Sequence, residues 1–590
     1  MSMHTPTASE RADWNSGNSA MLEPSSRLRF GVVCVGTQLA AWQADCLERL
    51  MALEQVDLGL ALIPESMGAD DSEGNPRGRL WRLPWRLFYT YHLLPRSRSA
   101  QPTNWSAILT RAPQIRFALE TEDGIATLSP EIVSQVAEYE LDILLWLCPG
   151  RPQGDILDAA RYGVWGFRYG QEVRHGAFPP GLSAILRGEP ITTASLRRFG
   201  PQGSITVLKQ GAIGTISSSF PANLDAVRTL TTPWPAQVCL DILHGLAIES
   251  RDTPSDQRES AEHAPDWLDL LRLALRVGAS RLADLYQAYG TFWEWTIGIV
   301  DQPIEAYLDA GAPPPVHWLS LPGERTFWAD PFALARDEGL HLFFEDYDYE
   351  DHRGRISTVY WSAAAQGTPQ VVIDEAWHLS YPYLIEDSGQ VYCIPESCEN
   401  DEIALYRAER LPDRWTKVAT LVEGFAGTDA TVFWHDDRWW MLACDSSEGL
   451  DHALYAWHAE DLLGPWTAHS NNPIKVDVRS SRPAGTPFIH QDRLYRPAQD
   501  CSESYGSRVV INRIERLDEY AFEEETVALV EPNRDGPYPD GLHTLSSVGE
   551  WTLVDGLKNV PVVTRPGMIV HGLGGVLRRG LSRLSRRTAR

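Results

Sequence analysis

The sequence predicts a multi-domain protein of the α/β plus all-β class, in which a Rossmann-like parallel-sheet domain precedes a five-bladed β-propeller. Strand and helix patterns alternate from Leu28 onward, and a strand-turn-strand unit that ends on an acid repeats between Trp328 and Ser502. A repeat of roughly 50 residues made of short strands is typical of a radial β architecture, because no single unit buries its own apolar face. A chain of 590 residues is also too long for one core.

The patterns divide the chain into five predicted segments. These are a disordered N-terminus (1–27), an α/β domain (28–245), a linker with connecting helices (246–292), the propeller (293–560) and a basic amphipathic tail (561–590).

Composition excludes several classes of function. A net charge of -27 argues against a nucleic-acid-binding protein, since phosphate recognition needs clustered Lys and Arg. The eight cysteines form no C-x-x-C pair and no Cys/His cluster with zinc spacing, so we expect no disulfide framework, no metal and no cofactor. The N-terminus lacks a signal-peptide pattern and no apolar stretch of membrane-spanning length occurs, which predicts a cytoplasmic location.

The α/β domain begins with a β-α-β pattern. A buried strand RFGVVCVG, an amphipathic helix QLAAWQADCLERLMAL and a second strand DLGLALIP predict a parallel sheet. The segments IRFALE and LDILLWL predict two more strands, with PEIVSQVAEYE as the helix between them. A helix GLSAILRGE then precedes the strand pair TTASLRRF and SITVLKQGAIGTI.

Residues 28–245 resemble the N-terminal domain of the formyltransferase family, through LDILLWL, ILDAARYGVWGF and the RGEP that precedes the hairpin. The family's catalytic Asn and His stand in an N-x-H motif, and the matching positions here are Gly166 and Arg168. Its D-T-G Asp is likewise replaced, by KQGAIGTI. Without the imidazole and the amide, formyl transfer loses its general base and its oxyanion stabilisation. The resemblance therefore implies a degenerate domain, and formyl transfer to an amino sugar stays an alternative hypothesis.

The connecting region contains a polar Ser/Asp/Glu/Pro run over 249–265, followed by WLDLLRLALRVGASRLADLYQAY. Its apolar spacing predicts one or two helices. The strand FWEWTIGIV then precedes the repeats, and we predict that it closes the propeller ring. The alternative is a plain interdomain strand.

Five repeat units each predict a β-hairpin with a short polar turn. They are WADPFALARDEGLHLFFEDYDY, LSYPYLIEDSGQVYCIPES, GTDATVFWHDDRWWMLACDSS, RPAGTPFIHQDRLYRPAQDCSES and the more divergent GLHTLSSVGEWTLVDG. The strands DEIALYRAER and SRVVINRIER predict outer blade edges.

Six acids stand at corresponding positions in these hairpins, at the start of a first strand or the end of a second strand. Asp330 and Asp429 open first strands, whereas four others close second strands: Glu345, Glu396, Asp445 and Asp500. The start of one antiparallel strand and the end of the next lie at the same edge, so all six are expected at one mouth. We interpret Glu345 and Asp445 as turn-capping residues. The predicted catalytic residues are Asp330, Glu396, Asp429 and Asp500.

Aromatic and basic residues are interleaved with these acids, as in a carbohydrate site, where rings stack on sugars and carboxyls supply acid and base. Arginines would suit the phosphate or carboxylate of a nucleotide sugar or acidic sugar. The predicted substrate-binding residues are Trp328, Tyr381, Tyr383, Arg482, Arg496 and His543.

The A-D-P of unit one resembles the arabinanase, levansucrase and invertase superfamily of five-bladed propellers. In order along the chain, ADPF, SYPY, IPES, SRPAG, RPAQDCS and GLHT more closely resemble the propeller found as the N-terminal domain of glucosamine inositolphosphorylceramide transferases, over about residues 293–558. The resemblance implies that Asp330 is the base or nucleophile and Asp429 the blade-three Asp. The superfamily's acidic Glu is expected at a later blade than Glu396, where Asp500 stands, so the general acid is left open between these two.

The tail VLRRGLSRLSRRTAR carries six arginines, with leucines on one helical face. We predict that residues 576–590 make a peripheral contact with anionic lipid at the inner face of a membrane. The alternative is a solvated terminus.

These observations predict a carbohydrate-active enzyme, glycosyltransferase or glycoside hydrolase-like, in cell-surface polysaccharide or glycolipid biosynthesis. Its substrate would be a sugar, nucleotide sugar or glycolipid. A hypothesis from another class is a non-catalytic glycan-binding or assembly module built from two degenerate enzyme domains. The sequence leaves open the sugar, the donor and acceptor, and the choice between hydrolysis and transfer.

Overall fold

The computed structural model describes residues 27–67, 76–122, 124–170, 179–200, 204–246, 265–309, 314–336, 339–447, 449 and 451–564. The predicted disordered N-terminus, the polar linker run and the basic tail lie almost entirely outside these ranges. The chain divides into two compact units, one formed by residues 1–187, 192–211 and 219–274 and the other by 188–191, 212–218 and 275–590. Within the described ranges, no helix combines the length and apolarity needed to span a membrane.

The N-terminal half contains eleven described strands and seven α-helices. The strands are β1 Leu28–Val33, β2 Gln38–Ala40, β3 Val56–Met67, β4 Pro102–Asn104, β5 Gln114–Glu122, β6 Ile125–Thr127, β7 Ile143–Trp146, β8 Arg151–Pro152, β9 Val164–Tyr169, β10 Ile191–Phe199 and β11 Ile205–Gly214. The helices are α1 Ala41–Met51, α2 Pro76–Phe88, α3 Ser106–Leu109, α4 Pro130–Ala137, α5 Leu182–Arg187, α6 Phe220–Thr229 and α7 Trp234–Leu243.

Nine of these strands form one sheet in the order β11-β10-β9-β7-β1-β3-β5-β6-β8. The five central strands, from β9 to β5, are parallel, as the predicted β-α-β pattern requires. Strand β10 is antiparallel to β9, and β6 is antiparallel to β5. The sheet is therefore mixed. Its five central strands are parallel as predicted, but a Rossmann-like domain is not confirmed. Gly166 lies in β9 opposite Trp146 of β7, and an added Cβ there would meet the Phe199 ring at 2.8 Å.

The second half begins with one long helix, α8 Trp267–Gly290, and the strands β12 Thr291–Val300 and β13 His317–Trp318. Four sheets then follow in chain order. Blade one comprises β14 Thr326–Arg336, β15 Gly339–Asp348, β16 Arg353–Ser362, β17 Ala365–Gln366 and β18 Gln370–Ile373. Blade two comprises β19 Ser380–Asp387, β20 Gln390–Glu396, β21 Glu402–Arg410 and β22 Arg414–Glu423.

Blades three and four repeat this pattern. Blade three comprises β23 Gly427–His435, β24 Arg438–Asp445, β25 Ala453–Ala459, β26 Thr467–Ala468 and β27 Lys475–Val476. Blade four comprises β28 Phe488–His490, β29 Arg493–Asp500, β30 Arg508–Leu517 and β31 Phe522–Val530. The chain ends its described part with β32 Leu545–Val548 and β33 Trp551–Pro561.

Blade five is built from both ends of this half, in the order β13-β12-β33-β32. Strand β12 pairs antiparallel with β33 over ten residues, from Thr291 opposite Pro561 to Val300 opposite Thr552. The prediction that FWEWTIGIV closes the ring is confirmed by this pairing.

Apolar cores between successive blades complete the ring. Buried residues of blade one pack on blade two, blade two on blade three, blade three on blade four, and blade four on blade five. The last contact returns to the start, since Ile297 and Leu553 of blade five share a core with Trp328 and Leu342 of blade one. A closed cycle of five four-stranded sheets is a five-bladed propeller.

Predicted polar turns join the two inner strands of blades two, three and four. Ser388-Gly389, Asp436-Asp437 and Gln491-Asp492 all have positive φ at both residues. This is the type I′ geometry whose twist matches that of the flanking strands.

Candidate active site

In each of three blades, the first strand contains a β-bulge at one residue whose backbone lies in the left-handed region of φ/ψ space. Asp330, Tyr381 and Asp429 have φ of 54°, 44° and 51°, and the strand register shifts at each. A bulge re-aims a side chain, and such a backbone conformation costs roughly 1–3 kcal/mol outside glycine, so it persists where the surroundings enforce it. The three residues occupy equivalent positions, next to the pairs Ala329–Glu345, Ser380–Glu396 and Thr428–Cys444.

Five buried carboxyl groups interact at this end of the inner strands, and we call them the acidic cluster: Asp330, Glu345, Glu396, Asp429 and Asp555. Each is less than a tenth exposed. Two cationic side chains lie among them, Arg482 and His543. The acids outnumber the cations, so the cluster cannot be neutral unless some carboxyls keep their protons.

Arg482 joins blades two and three. Its Nε donates to Asp429 Oδ2 at 2.5 Å and its Nη2 to Oδ1 at 3.3 Å, while Nη2 lies 3.6 Å from Glu396 Oε2. The Asp429 N–H also donates to Glu396 Oε2, at 3.3 Å. Asp451 accepts from Nη1 at 3.0 Å, and the Gln499 amide donates to Asp429 Oδ2 at 2.9 Å. Asp429 and Glu396 are thus held together by one shared guanidinium.

His543 joins blades five and one. Its Nδ1 lies 2.6 Å from Asp555 Oδ2 and 3.6 Å from Asp330 Oδ1, and its ring stacks on Trp295 at 4.0 Å between centroids. Asp330 also accepts from the Thr544 hydroxyl at 2.9 Å. The ligand atoms of Asp330, His543 and Asp555 lie within 4.8 Å of one another, a grouping that could hold a metal ion. The 2.6 Å contact is itself that of a hydrogen-bonded ion pair, which already uses His543 Nδ1.

Glu345 lies against His378, whose Nε2 is 3.3 Å from Glu345 Oε1. The His378 Nδ1 accepts from the Gly354 N–H at 2.9 Å, so the neutral ring carries its proton on Nε2 and directs it at Glu345. We interpreted Glu345 from sequence as a turn-capping residue, and this was wrong. It is buried and interacts with Asp330, Glu396 and Asp429.

The environment separates the pKa values of the cluster. Burial, reinforced by the Asp429 charge and opposed by Arg482, raises the pKa of Glu396 to about 8. Burial raises the pKa of Asp330 less, to about 6, because the nearby His543 lowers it. Burial and the neighbouring acids raise the pKa of Glu345 well above its usual value. Although burial opposes it, His543 lowers the pKa of Asp555. The cluster therefore favours the protonated form of Glu396 more strongly than that of Asp330.

Two predicted site residues are engaged elsewhere. Asp500 accepts from the Ser502 N–H at 3.0 Å and from Arg508 Nε at 2.9 Å, so it caps a turn and pairs with a neighbouring strand. Arg496 is 1% exposed and its guanidinium binds Glu524 at 2.6 and 2.7 Å. That buried ion pair joins two strands of blade four, so Glu524 occupies Nε and Nη2 of Arg496 where an external phosphate was predicted to bind.

The predicted aromatic residues are part of the core. Trp328 is fully buried and its Nε1 donates to Asp346 at 3.2 Å. The Tyr381 hydroxyl lies 2.9 Å from Thr431 Oγ1 and accepts from the Gly485 N–H at 2.7 Å, bridging three blades, and Tyr383 packs beside it. Asp445 accepts from the Ser447 N–H, in the turn-capping role predicted for it. None of the three rings is exposed enough for a sugar to stack on it.

Sequence reasoning missed Asp555, Gln499 and Tyr505. Asp555 could have been found, because WTLVD in unit five ends on an acid as the other units do. Tyr505 lies on the segment between β29 and β30 and covers Arg482, with 5.0 Å from the guanidinium carbon to the ring centroid. Its ring also meets His543 edge-on at 5.4 Å and stacks on Trp293 at 5.7 Å. Tyr505 therefore lies over both cationic residues of the cluster.

Comparison with known proteins adds a family resemblance to this geometry. Residues 320–536 match the family model described as glucosamine inositolphosphorylceramide transferase 1, N-terminal. The rice protein glucosamine inositolphosphorylceramide transferase 1 (Oryza sativa subsp. japonica) is 35% identical over 212 residues, which are 34% of this chain and 28% of the relative. The Arabidopsis thaliana protein of the same name is 33% identical over 218 residues, 36% of this chain and 28% of the relative.

Among solved structures, a thermostable family-43 glycoside hydrolase covers 36% of this chain and 78% of its own, at 15% identity and a TM-score of 0.28. A family 117 glycoside hydrolase from the marine bacterium Zobellia galactanivorans covers 46% and 91%, at 11% identity and a TM-score of 0.29. The family-model match supports the predicted resemblance over residues 320–536, which include the motifs from ADPF through RPAQDCS; GLHT lies beyond that range. The chain spans just over a quarter of the length of the curated relatives. The predicted formyltransferase resemblance remains without support.

Proposed function

We propose that this protein is a carbohydrate-active enzyme that processes or transfers a glycosyl unit, with the acidic cluster as its catalytic site. One observation carries the proposal: five buried carboxyls meet around Arg482 and His543 at one end of the inner strands. Burial there raises the pKa of Glu396, to about 8, more than that of Asp330, to about 6. Glycosidic chemistry needs one carboxyl that holds its proton at neutral pH and one that has lost it.

The proposed roles follow from this difference. Glu396 is the general acid that protonates the leaving oxygen, and Asp330 is the base or nucleophile. Asp429 is a positioning residue, since its carboxylate and N–H bind Arg482 and Glu396. Asp500 is not assigned as the acid, because both of its oxygens are engaged in blade four.

The relatives suggest the substrate class. Their name denotes transfer of glucosamine to inositolphosphorylceramide, and we propose a related pairing of an amino sugar with a phosphorylated glycolipid for this chain. The matching family model describes only the N-terminal part of such proteins. Hydrolysis of a glycosidic bond by the acidic cluster therefore stays a hypothesis of equal weight to glycosyl transfer.

The test is turnover by the full chain with a nucleotide-linked amino sugar and an inositolphosphorylceramide acceptor, followed by mass spectrometry, beside a panel of chromogenic glycosides for hydrolysis. We expect Asp330→Asn and Glu396→Gln to lower kcat by at least about 100-fold, the usual range for loss of a positioned acid or base. The control is Asp445→Asn, the same change at a turn-capping acid at the same end of its blade. Unchanged turnover in Asp330→Asn would refute the assignment.

A second hypothesis is a glycan-binding module without catalysis. The observation that favours it is the burial of the acidic cluster, in which Asp429 and Asp555 already have protein partners. Calorimetry that detects sugar binding by a chain without turnover would support this function. We further propose that the basic tail holds the protein at anionic lipid, and unchanged membrane co-sedimentation after deletion of residues 570–590 would contradict this.

A further inference from the structure

Arg228, on α6 of the N-terminal half, has a guanidinium without a carboxylate partner among the described residues. Its Nε and Nη1 atoms are enclosed by the protein and have no hydrogen-bond partner. By contrast, Arg482 and Arg496 in the propeller each bind a carboxylate through two nitrogens. An enclosed charge without a partner costs free energy, because it loses its hydration and gains no ion pair in return. Arg228 is therefore placed to bind an anion from outside the chain.

The acid nearest to Arg228 along α6 is already engaged. Burial lowers the pKa of Arg228, whereas Tyr169, Tyr89 and Asp225 raise it, so these are the groups whose charge reaches the guanidinium. The two oxygens of Asp225 accept hydrogen bonds of 2.6–2.9 Å from residues 97–99. Asp225 thus fixes that segment, and the two phenols are neutral at physiological pH. Neither kind of group neutralises Arg228.

Aromatic side chains surround the guanidinium, and we call them the Arg228 cage: Trp42, Tyr89, Phe167 and Tyr169. The Arg228 Cζ lies 5.3 Å from the centroid of the Trp42 ring, in a cation–π contact. Trp42 meets Phe167 and Tyr169 edge-on, at 5.4 and 6.3 Å between centroids. Each residue of the cage, like Arg228 itself, is partly exposed. Ligand sites are typically built in this way, from aromatic walls and a few polar groups that fix the orientation of the ligand.

The Arg228 cage lies at the carboxyl edge of the parallel strands. Tyr169 is the last residue of β9, and Trp42 lies in the first turn of α1, which follows β1 and β2. The sheet order β9-β7-β1-β3-β5 shows that the chain adds strands on one side of β1 and then on the other, so the order reverses between β1 and β7. Open α/β sheets bind ligands beside the carboxyl ends of their strands at such a reversal.

The cage is separate from the positions that match the formyltransferase motif. Side chains alternate between the two faces of a strand. Gly166 and Arg168 therefore lie on the opposite face of β9 from Phe167 and Tyr169. The Arg228 cage does not depend on that resemblance.

The chemistry of the guanidinium selects the class of ligand. Arginine binds carboxylates and phosphates through pairs of nitrogens. The third nitrogen of Arg228, Nη2, is not enclosed as the other two are, so an oxyanion that reaches it can pair it with Nε or with Nη1. The rings of Trp42 and Tyr89 favour an anion that carries a flat apolar group over a free inorganic ion.

We propose that Arg228 and its aromatic cage form a binding site for a small-molecule oxyanion, a carboxylate or a phosphate monoester carried on a flat ring. Every residue of the site belongs to the N-terminal half. The inference is therefore independent of the function proposed for the acidic cluster.

The first test is titration calorimetry of the full chain with two pairs of probes, phenyl phosphate with inorganic phosphate and benzoate with acetate. We expect one aromatic probe to bind at least about tenfold more tightly than its partner without a ring. The preferred pair identifies the anionic group. The proposal is overturned if neither aromatic probe binds at millimolar concentration, or if the ring gives no advantage.

Variants assign the binding to the cage. Arg228→Gln should weaken the aromatic probe at least about tenfold, the loss expected for a charge-assisted contact. Trp42→Leu should weaken the aromatic probe and leave its partner without a ring unchanged. The matched control is Arg116→Gln on β5, where the arginine is 58% exposed and pairs with Glu65 at the surface. An equal loss in the control would show a general charge effect and refute the site.

The second test is scanning calorimetry, which separates ligand binding from a structural role. The aromatic probe should raise the melting temperature of wild type but not that of Arg228→Met. Without probe, Arg228→Met should melt no lower than wild type, because it removes an enclosed charge. A variant that melts lower, together with a wild type that the probe does not stabilise, would assign Arg228 a structural role. If Arg228→Met does not fold, Arg228→Lys keeps the charge without the planar fork and should show a smaller rise than wild type.

Discussion

The proton held by Glu396 should make the stability of the propeller depend on pH, and Glu396→Gln should remove that dependence. Burial and the Asp429 charge raise the pKa of Glu396 from 4.5 to about 8 in the folded protein. A carboxyl with a raised folded-state pKa binds its proton more tightly when folded. Its contribution to stability is therefore complete below pH 4.5 and is lost as pH rises through about 8.

The size of the effect follows from proton linkage. Each pH unit between the unfolded and folded pKa values costs about 1.4 kcal/mol per proton, so the range from 4.5 to about 8 amounts to at most about 5 kcal/mol. Glutamine resembles the protonated acid and does not ionise. Relative to wild type, Glu396→Gln should gain little at pH 4.5 and up to roughly 5 kcal/mol at pH 9, which corresponds to roughly 10 °C in the propeller's melting temperature.

The assay is differential scanning calorimetry of both proteins from pH 4.5 to 9, with the difference in melting temperature plotted against pH. The matched control is Glu386→Gln on the same blade, where the glutamate is 56% exposed and pairs with Arg336 at the surface. The control should show a small difference that does not grow toward pH 9. A Glu396→Gln difference that is flat across this range, or that falls as pH rises, would refute the assignment of Glu396 as a protonated acid.

Three further outcomes are expected. Arg482→Met should destabilise the propeller by about 3–5 kcal/mol, because it leaves buried carboxylates unpaired, and adding Asp429→Leu should recover part of that loss in urea titrations. Truncation after Val548, which removes β33, should abolish the near-ultraviolet circular dichroism of the propeller, whereas truncation after Thr564 should preserve it. Trp328→Phe should lower the free energy of unfolding by about 1–3 kcal/mol through the lost Asp346 hydrogen bond and a small cavity, yet leave sugar affinity measured by calorimetry unchanged.

The architecture of the propeller could be predicted because its repeat has a period. Hairpin turns such as Asp436-Asp437 recur at fixed places between apolar strands. A closed ring also requires that β12, which precedes the repeats, pair with a strand from the other end of the propeller. The phasing of Asp330, Glu396 and Asp429 to one end followed from strand direction alone. These inferences depend on turn positions and strand directions, which the local sequence specifies.

The partners of each acid could not be predicted, because they come from other blades. Arg482 and Arg496 both begin an R-P-A motif. The sequence gives no sign that Arg496 binds Glu524 while Arg482 binds Asp429. Likewise, the sequence pattern places both Glu345 and Asp500 at the ends of second strands. In the structure Glu345 lies inside β15 and enters the cluster, whereas Asp500 ends β29 and binds Arg508. In the N-terminal half, the local pattern predicted parallel central strands, whereas the antiparallel edges depend on long-range pairing.

The pairing of β12 with β33 has a consequence for biosynthesis. Asp555 lies in the last described strand, so a nascent chain that has already made Asp330, Glu396 and Asp429 still lacks a partner for His543 until residues 551–561 leave the ribosome. Until then the edge of β12 that pairs with β33 is open, and the apolar faces that β33 covers are exposed to any chaperone or neighbouring chain. Completion of the acidic cluster and closure of the ring therefore both depend on β33, the last of the described strands to be synthesised.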